Sequence, residues 1–324
     1  MRIAVAALSI VAITAVAAET NDPPVETTKK NIKVLTGMPS SQLIPTMAFM
    51  ANSLGVTCAH CHGDKWDSDE KPAKDVTRRM IAMQKAINAA HFDGKTVVTC
   101  NTCHQGHVTP PAIPLVSASG WNQQPAAAKP ELPPAATVFA NYLKGLGGDT
   151  ALQAAKGRIS HGTVTRMNGR VPPVSAPFTL RQEVPQKISV DTTLNYPPEA
   201  NREFAGYFYR AKSLKAITSP MTVTGIEMVN GRSAYVVELT PKEGRPERLY
   251  FDRETGLLLR RHREIETPVG VLPEEYDFDD YREFEGVKTP FFITWSRADY
   301  RVTHVIDTVE PIAASAPTPA PSPK

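Results

Sequence analysis

The chain has 324 residues, 41% hydrophobic, 21% charged and 7% aromatic, enough for two ordinary domains and too apolar for wholesale disorder. A net charge of +3 without a basic run excludes a nucleic-acid binder that works by bulk phosphate attraction. Of the 29 prolines, seven fall between Pro110 and Pro134 and five from Pro311 onward, two stretches where folded elements are not expected.

In chain order, Met1-Arg2 carries one positive charge, Ile3 to Ala18 is largely apolar, and Val16-Ala17-Ala18 precedes Glu19. This reads as a cleaved signal peptide over 1–18, too short for the roughly 20 residues of a membrane span. An oxidising, periplasmic compartment follows, with the chain either soluble or held at the membrane through a partner or an uncleaved signal. A helix is expected to start at Ser40 or Ser41, to be limited by Pro45, and to end at Gly55 in a left-handed cap. A second helix is expected to be capped by Asp75, with Val76, Met80, Met83, Ile87 and Ala90 on its apolar face and Asp93-Gly94 beyond its end.

Each helix precedes a C-x-x-C-H motif, Cys58-Ala59-His60-Cys61-His62 and Cys100-Asn101-Thr102-Cys103-His104, and these hold all 4 cysteines. The pattern is the attachment site for c-type haem. Two thiols bond the two vinyl groups of the porphyrin edge, and the adjacent His62 or His104 turns its imidazole onto the iron. A pair of disulfides does not call for a histidine after each second cysteine. A four-cysteine zinc site would leave a long spacer between its half-sites, and thioredoxin-like chemistry lacks its βαβ context. The stretch from Val56 to His62 recurs from Val98 to His104, each preceded by a Met-x-x-Met pair, Met47/Met50 and Met80/Met83. Histidine and methionine together are a known axial set that raises the haem potential. His91 and His107 are rival sixth ligands by proximity. His60 is expected to point away from iron, and His161, His262 and His304 are expected in strands without a role in the chemistry.

Leu35-Thr36-Gly37-Met38-Pro39, Met47, Ser53-Leu54-Gly55-Val56, the first motif, Met83, Ala86-Ile87-Asn88 and the second motif with Gln105-Gly106 together resemble the cytochrome c subunit of photosynthetic reaction centres, over about residues 32–110. The resemblance implies Met47 as axial ligand of the first haem and Met83 of the second, with Met50 and Met80 as packing residues and alternative ligands. Family members that serve reaction centres carry four haems, whereas this chain has two motifs.

Val108 to Pro134 reads as a stiff proline- and alanine-rich linker. Beyond it, 135–311 should be a mainly β domain that opens with an amphipathic helix over Thr137 to Leu146. Strands are expected at Met221 to Met228, Ser233 to Leu239, Arg248 to Asp252, Leu257 to Glu264 and Phe291 to Ser296. The acidic run from Glu274 to Glu285 reads as a solvated loop that could meet a basic redox partner. Leu249-Tyr250-Phe251-Asp252, Thr255-Gly256-Leu257-Leu258, Asp279-Asp280-Tyr281 and Gly286 to Pro290 look like LolA-type periplasmic lipoprotein-carrier sheets. A disordered tail is expected over 312–324.

The expected fold class is mixed: a mainly α dihaem cytochrome c module over 19–107, then a curved antiparallel sheet with a helix. The expected function is electron transfer by two covalently bound haem c groups, with protein redox partners and a membrane-associated electron-transfer complex among the candidate assemblies. Two six-coordinate irons leave no open substrate position, so a carrier is favoured over a catalyst, and no catalytic residue is assigned. A dihaem peroxidase, or a periplasmic ligand-binding protein with structural haems, are the alternatives.

Overall fold

The computed structural model describes residues 22–111, 131–155, 157–168, 171–183, 187–201, 220–240, 245–297 and 300–312. The signal segment, most of the linker and all but the first residue of the tail lie outside them. The described residues form N-terminal helices followed by one antiparallel sheet. The helices are α1 (Val25–Thr28), α2 (Leu43–Leu54), α3 (Pro72–His91), α4 (Cys100–His104), α5 (Ala135–Gly145) and α6 (Gly148–Ala154). The strands are β1 (Gly157–Asn168), β2 (Val171–Glu183), β3 (Lys187–Thr192), β4 (Met221–Val229), β5 (Arg232–Leu239), β6 (Glu247–Asp252), β7 (Leu258–Thr267), β8 (Gly270–Phe284), β9 (Val287–Arg297) and β10 (Tyr300–Pro311).

The sheet runs β3-β2-β1-β10-β9-β8-β7-β6-β5-β4. The chain therefore lays down three strands, crosses from one edge to the other, and returns strand by strand until β10 pairs with β1. That closing ladder extends from Arg158↔Pro311 to Asn168↔Tyr300, with a bulge at His161/Gly162. Alternation sets the two faces. On β9, Val287, Phe291, Ile293 and Trp295 enter the main core with Val138, Tyr142 and Leu146 of the α5 segment, whereas Phe292 stays exposed. The Lys288 amide donates to the Leu146 carbonyl at 2.8 Å, which ties the end of α5 to the start of β9.

A second core joins the helices to the sheet. Val25, Leu35, Met38, Leu43, Phe49 and Ile81 pack with Val269 and Leu272 from the β7–β8 hairpin. Phe49 can enter because position 270 is glycine: a Cβ there would lie 2.1 Å from its Cζ. Burying a phenylalanine contributes about 1.5–3 kcal/mol, so this one ring is a substantial part of the docking.

Three expectations change on the structure. The run from Glu274 to Glu285 is no solvated loop; most of it lies in β8, because its carboxylates have cross-strand cations. Arg260 grips Asp277 with two bonds of 2.5 and 2.7 Å, and Arg232 reaches Asp279 at 2.9 Å. Helix α3 begins at Pro72, with extended Lys71 before it, because proline is preorganised for the first helical position; Asp75 lies in the first turn and pairs with Arg79. The face of α3 that is buried carries Ile81, Gln84 and Asn88, while Val76, Met80 and Met83 are exposed. Polar side chains won the inner face because they bond backbone, as described below.

His304, on β10, is fully buried, with the Tyr196 hydroxyl 3.1 Å from its Nε2. Burial pushes its imidazole down to about 3. The folded state therefore refuses a proton that the unfolded chain takes up below about 6.5. Stability should be level above that pH and fall as pH drops from 6.5 toward 3, by about 1.4 kcal/mol per unit from this one group. Urea titrations between pH 7.5 and 4.5 measure this, and a His304→Gln variant should show a shallower dependence than the wild type; equal slopes would contradict it.

Candidate functional site, two cysteine-histidine motifs against an apolar cavity

The chain entering the first motif and the chain leaving the second, far apart in sequence, meet in space. Helix α2 ends at Gly55 in a left-handed conformation (φ 66°), with its amide on the Asn52 carbonyl. The Gly106 amide, two residues past the second motif, donates to the Ser53 carbonyl at 2.9 Å. A Cβ on Gly55 would lie 2.1 Å from the Gly106 carbonyl oxygen. The residue that turns the chain into the first motif is thus the one that admits the backbone following the second.

In the first motif, Cys58–His60 form a single 3-10 turn and Cys61 follows it. The His62 Nδ1–H donates to the Trp66 carbonyl at 3.0 Å, and the His62 and Trp66 rings lie 4.9 Å apart. With Nδ1 occupied, the lone pair of a neutral imidazole is on Nε2. Burial pushes His62 below its ordinary value, with a smaller push from Lys74, while the Trp66 carbonyl opposes both. Lys74 donates to that same carbonyl at 2.8 Å and to Ser68 at 2.6 Å, so α3 holds the loop that orients His62. Asp69 fixes the loop from the other side, accepting from Asn31 at 2.8 Å, Lys33 at 2.9 Å and Arg78 at 2.8 Å. Its carboxyl is held well below the usual carboxylate range, first by Arg78, then by Lys33 and Asn31.

Beside this motif is a cavity of about 560 Å³, walled by Leu35, Leu43, Ile44, Leu54, Val56 and Ile81, among others. Cys58, Cys61, His62, Met47 and Met50 line it, and Lys33, Lys74 and Arg78 bring cations to it. Met50 is buried in the second core, and Met47 packs against that core half-buried. Two thiols, an oriented imidazole, thioether sulfur and an apolar space fit a covalently attached haem.

In the second motif, α4 carries Cys100 to His104, and the Thr99 amide donates to Thr102 Oγ1 at 3.0 Å to cap it. The His104 Nδ1–H donates to the His107 carbonyl at 2.9 Å, the same arrangement as at His62. Burial raises the Cys100 thiol, whereas Cys103 is exposed. The approach to this motif is fixed by Asn88 of α3, nearly fully buried. Its Oδ1 accepts from the Val97 and Val98 amides at 3.1 and 2.9 Å, and its Nδ2 donates to the Val98 carbonyl at 2.7 Å, where Gln84 also donates at 2.8 Å. A side-chain amide here stands in for a neighbouring strand. On α3, Met80 and Met83 are 38% and 48% exposed, and Val76, one turn before Met80, is exposed as well. His60, His91 and His107 are exposed.

Sequence reasoning missed the bonding roles of Gln84 and Asn88, the two carbonyl acceptors, and the cavity residues Asn168 and Tyr300. Polar residues at helical spacing, Gln84 and Asn88, were a visible signal for the first. The acceptors are backbone atoms and the last two residues come from distant strands, so neither has a local signature.

Residues 2–143 match the family model described as the photosynthetic reaction centre cytochrome C subunit. The chain is 31% identical over 100 residues to the photosynthetic reaction center cytochrome c subunit of Rubrivivax gelatinosus, covering 30% of this chain and 27% of that protein. It is 35% identical over 82 residues to cytochrome c-554 of Chloroflexus aurantiacus, covering 23% and 20%. A reaction center cytochrome c subunit of Thermochromatium tepidum is 33% identical over 100 residues, covering 29% and 24%. The chain therefore spans about a quarter of the length of these curated relatives. Among solved structures it is similar to a LolA superfamily protein from Nitrosomonas europaea, with a TM-score of 0.40 and 9% identity, covering 56% of this chain and 96% of that one. A putative outer membrane lipoprotein-sorting protein domain from Vibrio parahaemolyticus gives a TM-score of 0.37 and 11% identity, covering 50% and 88%.

Gly55→Ala should lower stability by about 1–2 kcal/mol for the left-handed backbone alone, and by more because its Cβ meets the Gly106 carbonyl. Thermal unfolding followed by circular dichroism measures this. An unchanged midpoint would show that the two backbones need not touch.

Proposed function

We propose that this chain is a two-haem c-type cytochrome that carries electrons between protein partners outside the cytoplasm. Cys58 and Cys61 hold the first haem, with His62 and Met47 as axial ligands. Cys100 and Cys103 hold the second, with His104 and Met83. Met50 and Met80 are the alternative sulfur donors. The observation that carries the reading is the repeated geometry at His62 and His104. In each motif Nδ1–H is bonded to a carbonyl a few residues on, at 3.0 and 2.9 Å, which leaves Nε2 for a metal. The similarity of the N-terminal segment to cytochrome c electron carriers supports it independently.

When bound, the group supplies one-electron exchange at iron. The chain's own residues do the rest. Cys58 and Cys61 on the turn after α2, and Cys100 and Cys103 on α4, would hold the groups covalently, and the two imidazoles are each held in one tautomer by a carbonyl. Leu35, Leu43, Leu54 and Ile81 give the first site an apolar wall, which favours the less charged reduced state. Lys33 and Arg78, paired with Asp69, and Lys74, bonded to two loop carbonyls, bring positive charge to the cavity wall. Export by the segment 1–18 completes the reading, and among the described residues no helix is long and apolar enough to cross a membrane.

Expressed in a host that matures c-type cytochromes, the protein should show a Soret band and a mass equal to the mature chain plus two haems. Replacing Cys58 and Cys61 by serine should remove one haem and leave the other. A colourless wild-type product with the mass of the bare chain would end the proposal. Met47→Ala and Met83→Ala should each lower one midpoint potential and open one iron to carbon monoxide, read by redox titration and by the gas-induced Soret shift.

A further inference from the structure

The cavity beside the first motif is not built by the helical segment alone. Its lining comes from residues 29 to 81 with two exceptions, Asn168 and Tyr300. Asn168 is the last residue of β1 and Tyr300 the first of β10, and they are direct partners across the β1–β10 ladder. That ladder joins the first and last strands of the sheet. Tyr300 faces two environments. It packs against the main core of the sheet, its ring centroid 5.9 Å from that of fully buried Trp295, and it lines the cavity of the first motif. The docking that holds it there is the Phe49 contact with the β7–β8 hairpin, formed by α2, the helix that carries Met47.

We propose that the sheet domain is part of the first haem site, and that Tyr300, with Asn168 beside it, is a positioning residue that closes the cavity against water. This rests on the haem reading above. A site closed by an aromatic ring has a lower local dielectric than one open to solvent, and the oxidised, more highly charged iron is the state that loses by it. Tyr300 therefore raises the potential of the first centre. Because it is seated by the completed sheet, the redox property of a helical module depends on β10, a strand more than two hundred residues away in sequence.

The test uses the full-length holoprotein. A redox titration of the wild type resolves two midpoints, and the Cys58→Ser/Cys61→Ser variant identifies which belongs to the first centre. Tyr300→Ala should shift that midpoint downward and leave the other in place. Tyr300→Phe, which keeps the ring and loses only the hydroxyl, should restore the wild-type value. Asn168→Ala, with a smaller loss of wall, should shift the same midpoint in the same direction by less, and it serves if Tyr300→Ala does not accumulate. A folded Tyr300→Ala protein with both midpoints unchanged, or with both displaced equally, overturns the proposal while leaving the haem reading intact. A wild type without covalent haem overturns both.

Discussion

The arrangement depends on a contact between two backbones. The motifs are separated by two loops and a long helix, yet the amide of Gly106 reaches the Ser53 carbonyl at the end of α2. Only glycine at position 55 allows it, since a side chain would occupy the place of the Gly106 carbonyl oxygen. Glycine at a helix C-terminus ordinarily serves the left-handed cap. Here the same residue has a second duty, and on the proposed reading it brings two redox centres within one small module.

Around that contact, polar groups do work that apolar packing does elsewhere. The helical segment has a small core, and its buried cluster is completed by Val269 and Leu272 from the sheet. The loops are held by directional bonds: Lys74 and Asp69 on the loop after the first motif, Asn88 and Gln84 on the loop before the second. Buried side-chain amides that satisfy backbone donors are costly to replace, since each lost partner leaves an amide desolvated and unbonded. Such bonds also fix orientation, which a histidine ligand needs more than it needs stability.

The sheet has a different logic. Its apolar face is continuous with α5 and α6, and its opposite face carries cross-strand ion pairs such as Arg260–Asp277. Closure of β10 on β1 places the ends of those strands at the helical module, so the cavity is a joint product of two regions with unlike architecture. A cofactor site at the junction of modules is physically economical, because neither module alone must bury the whole group.

Much was legible without coordinates. The two C-x-x-C-H motifs, the helices before them, the left-handed end at Gly55, and five of the strands are local signals, set by residue type and spacing along a few turns of chain. The acidic stretch of β8 was not legible as a strand, because its cations, Arg232 and Arg260, lie on other strands. Nor was the buried face of α3, where hydropathy favours Met80 and Met83 but hydrogen bonds to Val97 and Val98 favour Asn88. Residue chemistry by itself determined which atoms are available for ligation. Tertiary structure alone decided which backbone holds each imidazole, which glycines touch, and that Tyr300 lines a cavity otherwise walled mainly by residues 29 to 81. These depend on contacts between segments distant in sequence, and no local pattern encodes such a contact.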